Sequence, residues 1–200
     1  GTAADGDDGG LDVDDDRPTL SVDSPEVEEG SDAVFTVSIT GDREEAMTVN
    51  LAPSIGGSDT AEAGDIGSIT TVMVVGGLSA GTTLVVDVSG NVVVPADATG
   101  LTVEVATTDD GVYEGDETFT LTASSSVVAS DAMGTGTIVD DGTAADGDDG
   151  GLDVDDDRPI VSVVASDDNA IEGTANNTVS FTVSQDAVSD FATDIIVSLD

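Results

Sequence analysis

The chain has 200 residues, of which 43 are acidic and three are basic, so its formal net charge at pH 7 is −40. This charge repels nucleic acid and anionic membrane surfaces, and no apolar run approaches the roughly 20 residues of a membrane span. The absence of cysteine and histidine excludes disulfides, thiolate metal sites and imidazole-based catalysis. A valine-rich hydrophobic fraction of 38% is nevertheless sufficient to form a core. Because repulsion among the carboxylates opposes a compact state, folding needs their neutralisation by salt or by divalent cations.

The chain begins with a segment rich in aspartate and glycine that occurs twice. Residues 1–18 read GTAADGDDGGLDVDDDRP, and residues 142–159 repeat them letter for letter. The segment contains seven aspartates and has almost nothing to bury. It is therefore predicted to be a linker, either a solvated spacer that repels itself or a spacer that cations partly order.

Between these two copies the sequence predicts one strand after another. Apolar and polar residues alternate at 35–40, 101–105 and 118–121, which is typical of half-buried strands. Glycine-rich turn signals separate the runs, and GGLSAG is expected to close an added hairpin over 69–88. About nine short strands without an amphipathic helix predict an all-β sandwich with Greek-key connections. Further strand-like runs lie at 20–23, 47–51, 69–75, 84–88, 91–95 and 135–139.

The same pattern begins again after the second copy of the linker. Val179, Phe181 and Val183 alternate with serine and threonine, in a sequence related to that which follows the first copy. A fixed repeat of this kind indicates a tandem array, from which the chain is interpreted as a crop. The predicted segments are a linker at 1–18, a sandwich repeat at 19–141, the repeated linker at 142–159 and the first part of a second repeat at 160–200.

Acidic clusters outside the linker stand at predicted strand ends. They are EEG at 28–30, DDGVYEGDE at 109–117 and DD at 140–141. Close packing of carboxylates raises their pKa values and costs stability, and a hard divalent cation removes that cost. Ca²⁺ accepts about six to eight oxygen ligands in flexible geometry, whereas Mg²⁺ demands a strict octahedron. The clusters therefore favour Ca²⁺ as the cofactor.

The segments EVEEGSDAVFTVSIT (26–40), GVYEGDETFTLT (111–122) and GTGTIVDDG (134–142) resemble the Calx-beta motif. This resemblance covers about 19–141 and the start of the second unit. The family is a seven-stranded, immunoglobulin-like sandwich, found in calcium-sensing domains of sodium–calcium exchangers and in tandem arrays of large bacterial adhesins. The aspartate-rich linker is similar to repeat regions of RTX-type adhesins, which are exported by type I secretion.

The resemblance also implies a set of metal ligands in loops at one end of the sandwich. Ile66, Gly111 and Gly142 stand where the family has a tyrosine and two aspartates, which leaves the number of ions open. Simpler interpretations also remain, because strand-end acids, linker aspartates and a turn-capping Asp65 need no metal. Other acids are expected to be surface charge, namely Glu26, Glu44, Glu45, Glu62 and Asp97. The implied ligands are Glu29, Asp65, Asp109, Asp110, Glu114, Glu117, Asp140, Asp141 and, in the second unit, Glu172.

These features predict a non-enzymatic, calcium-binding extension repeat of a secreted adhesin at the bacterial cell surface, which supports adhesion or biofilm formation. Its expected partners are neighbouring repeats of the same chain, with no nucleic acid and no membrane insertion. The sequence does not identify the adhesive target. Two alternatives remain, a calcium-sensing regulatory domain of a membrane ion exchanger and a ligand-binding surface module. The aromatic content of 2% disfavours the second, because sugar-binding surfaces use aromatic platforms.

Overall fold

A computed structural model describes residues 17–110, 112–139, 159–167, 173, 178–192 and 194–198 of the chain. Within these residues the regular secondary structure is β-strand, and no helix there is long and apolar enough to span a membrane. The strands are β1 (Thr19–Val22), β2 (Glu26–Glu28), β3 (Ala33–Thr40), β4 (Met47–Ser54), β5 (Ile66–Val75), β6 (Asn91–Val94), β7 (Gly100–Thr107), β8 (Val112–Tyr113), β9 (Glu117–Ser124), β10 (Ala132–Val139), β11 (Val161–Asp167), β12 (Ser180–Gln185) and β13 (Val188–Ser189).

The strands of the first unit form two sheets that face each other across the core. One sheet has the order β1-β3-β7-β5 and the other has the order β2-β10-β9-β4-β6. Neighbouring strands pair antiparallel, except that β2 pairs in parallel with β10. Because the chain repeatedly crosses between the sheets, its connections are of the Greek-key type. The structure thus confirms an immunoglobulin-like Greek-key β-sandwich.

The core follows from the alternation in the sequence. On β3, every second residue from Ala33 to Ile39 is buried, because successive side chains of a strand point to opposite faces. In the centre, the rings of Phe35 and Phe119 meet edge to face, with their centroids 5.5 Å apart. Gly136 leaves room for this pair, since a Cβ there would lie 2.8 Å from Phe119 Cε1. The two sheets are therefore held together by an apolar interior of aromatic and branched side chains.

The predicted hairpin over 69–88 forms only in part. The backbone N–H of Leu84 donates to Val72 O at 2.8 Å, so the chain does return along β5. Beyond that point the strand predicted at 84–88 is wrong. The Asp87 carboxylate accepts the backbone N–H groups of Ser89 and Asn91 at 2.8 and 2.9 Å, which closes a local turn. Such side-chain bonds compete with a sheet ladder, and they end the return arm before it becomes a strand.

Asp97, expected to be surface charge, has a structural role instead. Its carboxylate accepts the backbone N–H of Ser79 at 2.7 Å and the Ser79 hydroxyl at 2.8 Å. These bonds tie the turn after β5 to the loop before β7. The Ser79 hydroxyl first, and then its backbone N–H, lower the pKa of Asp97. The positive charge of Arg43 lies near enough to interact with Asp97.

The described part of the second unit contains a hairpin of β11 and β12, paired antiparallel. This hairpin is the counterpart of β1 and β3 in the first unit, and Phe181 holds the place of Phe35. Phe35 is 0% exposed and Phe181 is 54% exposed. The predicted segment boundaries remain predictions, because residues 1–16 and 140–158 lie outside the described part of the chain.

Candidate metal centre

Three connections of the first unit meet at one end of the sandwich. Ala33, the first residue of β3, is paired with Val105 near the end of β7. Ile66, the first residue of β5, is paired with Thr107, the last residue of β7. Glu117, the first residue of β9, is paired with Ile138 near the end of β10. The register therefore brings together the β2–β3 turn, the β4–β5 loop and the β7–β9 loop, which carry the acidic clusters.

Glu29 is positioned by the turn between β2 and β3. Its backbone N–H donates to Val139 O at 3.2 Å, which fixes it beside the end of β10. Gly30 follows with φ +74°, a left-handed conformation that glycine adopts without strain. A Cβ at Gly30 would lie 2.9 Å from the Cβ of Asp109, so glycine also permits the β7–β9 loop to approach. The Glu29 side chain is consequently 4% exposed, which is rare for a carboxylate.

Asp65 is buried to the same extent, at 4% exposed. Its carbonyl accepts the backbone N–H of Thr108 at 2.9 Å, which anchors the β4–β5 loop to the end of β7. Its carboxylate accepts the backbone N–H of Glu62 and closes a short turn. The simpler interpretation of Asp65 as a turn cap is therefore confirmed. The same carboxylate also faces the acidic cluster.

The carboxylates form two overlapping groups among the described residues. Oxygen atoms of Glu29, Asp110 and Glu114 lie within 4.8 Å of one another. Oxygen atoms of Asp65, Glu114 and Glu117 do the same. Glu114 belongs to both groups, so it stands between the two positions that a cation could take. The backbone N–H of Val112 donates to Asp110 Oδ1 at 3.0 Å and orients the Asp110 carboxylate.

Burial and neighbouring charges raise the pKa values of two of these carboxyl groups. Burial, followed by the charges of Asp65 and Asp110, raises the pKa of Glu114 to about 7. Burial, followed by a hydrogen bond and the charge of Asp65, raises the pKa of Glu117 to about 8. Both directions mean that the ionised cluster is unfavourable without a counter-charge. Perturbed carboxylates of this kind are typical of functional sites.

The donor set suits a hard cation. Every candidate ligand is a carboxylate, and the candidates come from three separate loops, which would allow the variable geometry of Ca²⁺. Each group contains one buried acid, Glu29 in the first and Asp65 in the second. A divalent cation would neutralise the cluster, favour the ionised forms of Glu114 and Glu117, and bind the loops to one another.

The structure brings together five of the nine ligands implied by the resemblance, namely Glu29, Asp65, Asp110, Glu114 and Glu117. Asp109 lies on the same loop next to Gly30, but its side chain is exposed and belongs to neither group. Asp140, Asp141 and Glu172 lie outside the described residues.

Sequence reasoning missed two acids near the site. Glu62 is exposed, as expected of surface charge, and its charge also contributes to the raised pKa values of Glu114 and Glu117. Its spacing of three residues from Asp65 is that of the short turn, and this was the only available signal. Asp190, in the second unit, also acts electrostatically on Glu114. Nothing in the sequence indicated that a residue so far along the chain would lie there.

Comparison with known proteins finds distant similarity to solved structures. No protein-family model matches the sequence, and no curated protein matches it. Among solved structures, the apo-form Calx CBD1 domain is 17% identical, with a TM-score of 0.44 over 62% of this chain and 98% of that one. CBD12 from CALX1.2 is 16% identical, with a TM-score of 0.44 over 86% of this chain and 73% of that one. Surface layer protein SbsC, domains 4–9, is 17% identical, with a TM-score of 0.32 over 89% of this chain and 23% of that one.

Proposed function

We propose that this chain is a calcium-binding, non-enzymatic extension repeat of a secreted bacterial surface adhesin, and that Ca²⁺ stiffens it into part of a stalk. The observation that carries the proposal is the meeting of five carboxylates from three loops at one end of the sandwich, with Glu29 and Asp65 both 4% exposed. Two buried acids among five converging carboxylates cost stability unless a cation neutralises the cluster.

The proposed sites share Glu114. One ion is held by Glu29, Asp110 and Glu114, and the other by Asp65, Glu114 and Glu117. Bound Ca²⁺ supplies positive charge and cross-links the loops. Because it binds the native state and not the unfolded chain, its binding energy adds to the free energy of unfolding.

The chemistry of the whole chain supports a stalk that is assembled outside the cell. A net charge of −40 disfavours a compact state where divalent cations are scarce, which would keep the chain loose for export. Outside the cell, calcium binding and folding then occur together. The repeated linker at 1–18 and 142–159 supports an array of such units, which holds an adhesive tip away from the cell surface.

Thermal unfolding of the 200-residue chain tests the calcium part of this proposal. Samples with CaCl₂, with MgCl₂ and with EDTA are compared at one ionic strength, so that simple screening is constant. At a free Ca²⁺ concentration of about 100 times Kd, one site adds about 2.7 kcal/mol to the free energy of unfolding. We expect a large rise in the midpoint with Ca²⁺ that Mg²⁺ does not match. Equal midpoints in Ca²⁺ and EDTA would contradict the proposal and leave a spacer whose charge serves solubility.

A further inference from the structure

The metal-site loop of the first unit also contacts the second unit. Strand β8 begins two residues after Asp110 and pairs in parallel with β13 of the second unit. Val112 is paired with Val188, and Tyr113 with Ser189. The backbone N–H of Asp190 then donates to Tyr113 O at 3.1 Å. The contact therefore has the form of strand addition, in which a short segment binds an exposed strand edge through main-chain bonds.

An aromatic contact extends this pairing. The rings of Tyr113 and Phe191 lie with their centroids 5.7 Å apart, tilted by 56°. Phe191 also packs over the backbone of Gly115, where an added Cβ would lie 3.0 Å from Phe191 Cζ. Gly115 has φ +80°, so glycine both forms the turn before Glu117 and leaves space for the ring.

The use of aromatic residues in this chain makes the contact informative. The chain has one tyrosine and four phenylalanines, and no tryptophan. Phe35 and Phe119 form the ring pair of the sandwich core. Tyr113 and Phe191 form the other pair, between the two units. Aromatic side chains supply large contact area at low cost in conformational freedom, which is why they serve as anchors of interfaces.

We propose, on the basis of the stalk function proposed above, that Val112–Gly115 is the docking surface for the next repeat and that Val188–Phe191 is the segment that occupies it. The pairing of β8 with β13 and the packing of Phe191 on Tyr113 and Gly115 set the orientation of successive repeats. The segment Val188–Phe191 follows β12, and it corresponds to the β3–β4 connection, which follows β3 in the first unit. The end of one sandwich that carries the acidic loops, here called the metal end, therefore contacts the next repeat. The next repeat contacts it through the end that carries the counterpart of the β3–β4 connection.

Docking and cation binding share one loop in this arrangement. Asp110 and Glu114, ligands of the proposed sites, flank β8 on both sides. Any cation that orders Asp110 and Glu114 also orders the strand between them. By linkage, a docked Val188–Phe191 segment then favours cation binding to the same extent that the cation favours docking. The negative charge of Asp190 beside Glu114 adds to the electrostatic attraction for that cation.

Pulsed electron spin resonance on the 200-residue chain tests the docking. The chain has no cysteine, so Ser126→Cys and Thr182→Cys place one nitroxide label on an exposed position of each unit. We expect a single narrow distribution of label-to-label distances in Ca²⁺. Phe191→Ala, which removes the ring, and Asp190→Pro, which removes the N–H that Tyr113 accepts, should each abolish the narrow peak. A broad distribution in the parent chain, or narrow peaks in both variants, would overturn the proposal.

Two matched controls separate docking from general damage. Phe181 and Phe191 are both 54% exposed, so Phe181→Ala removes the same side chain away from the contact and should keep the narrow peak. Asp190→Asn keeps the backbone donor but removes a charge near Glu114, so the narrow peak should persist in this variant when Ca²⁺ is saturating. Unfolding midpoints of the same samples distinguish this inference from the calcium proposal. A midpoint raised by Ca²⁺ with a broad distribution overturns docking alone, whereas a narrow distribution with no calcium response overturns the calcium function alone.

Discussion

The two ends of the sandwich shift the pKa values of their carboxyl groups in opposite directions. At the end beyond β7, burial and neighbouring charges raise the pKa of Glu114 to about 7 and that of Glu117 to about 8. At the other end, hydrogen bonds from Ser79 lower the pKa of Asp97. Asp97 is stabilised as an anion by donors that belong to the fold, whereas the opposite cluster consists of carboxylates facing one another.

This difference indicates where an external ligand is needed. The chain contains three basic residues in total, and Arg43 lies at the end of the sandwich that holds Asp97. Asp97 is thus stabilised as an anion by groups of the protein. At the opposite end, ionisation of Glu114 and Glu117 is unfavourable, and a counter-charge from solution would offset it, which is the physical reason for the calcium dependence proposed above.

The largest effect is expected in the core that both ends share. Phe119→Ala removes one ring of the central pair and should lower the free energy of unfolding by about 3–5 kcal/mol. The loss should be similar in Ca²⁺ and in EDTA, since the ring has no part in metal binding. Urea denaturation in both buffers measures it, and Val93→Ala, at a position 63% exposed, provides the near-neutral control. A loss seen in only one buffer would show that core and site are not independent.

The next effect concerns calcium affinity. Glu29→Gln and Asp65→Asn each remove a buried ligand charge at nearly constant shape, and each should weaken Ca²⁺ binding by about 10–100-fold, the range found even for outer partners of metal ligands. Isothermal titration calorimetry gives the affinity. Asp97→Asn makes the same chemical change at the opposite end and should leave the affinity unchanged. Equal losses in all three variants would mean that net charge, and not the site, attracts the cation.

A smaller effect is expected in the pH dependence of the metal-free protein. Glu114 and Glu117 have folded pKa values of about 7 and about 8, above the ordinary value of 4.5. Near pH 4.5 and below, both carboxyls are protonated in the folded state. As the pH rises to about 8 the unfolded chain loses these protons more readily, so stability in EDTA should fall across this range.

Chemical denaturation between pH 4.5 and pH 8.5 measures this slope, and the double change Glu114→Gln with Glu117→Gln should flatten it. Repulsion across the whole chain acts in the same direction, so a charge-matched control is required. Glu44→Gln with Glu45→Gln removes the same charge at exposed positions and should leave most of the slope. If both double variants flatten the slope equally, the site is not its source. Calcium affinity should rise over the same pH range, because protons compete with the cation.

The smallest effect is expected for the stability of Asp97→Asn itself. Its lowered pKa means that the ionised carboxylate stabilises the fold above the ordinary pKa, and that this contribution is lost as the pH falls through the folded value. The variant should therefore be slightly less stable than the parent at pH 7 and equal to it in strong acid. Thermal unfolding at the two pH values tests whether this contribution to stability is lost on acidification, opposite to the pH dependence predicted for Glu114 and Glu117. A variant as stable as the parent at pH 7 would show that the charge of Asp97 contributes nothing to stability.

Several features of the fold and of the site could be read from the sequence. Period-two alternation fixed the strands around Phe35 and Phe119, because a strand places every second side chain in the core. Acidic clusters at the ends of those strands indicated the end of the sandwich where the carboxylates converge. Five of the ligands implied by resemblance to the Calx-beta motif do converge there. Local pattern sufficed for the strands and the acidic clusters because each depends on neighbours along one strand, whereas the ligand set was implied by the resemblance.

The remaining features depend on contacts between distant segments, and only the tertiary structure decided them. Burial of Glu29 and Asp65 results from the pairing of β2 with β10 and from the approach of three loops. The turn closed by Asp87 replaced a strand that propensity alone predicted. The contact of Phe191 with Tyr113 joins residues of two units. Composition determined that this acidic chain needs a counter-charge, whereas the register of the strands decided which carboxylates meet, because only the register sets distances across the sandwich.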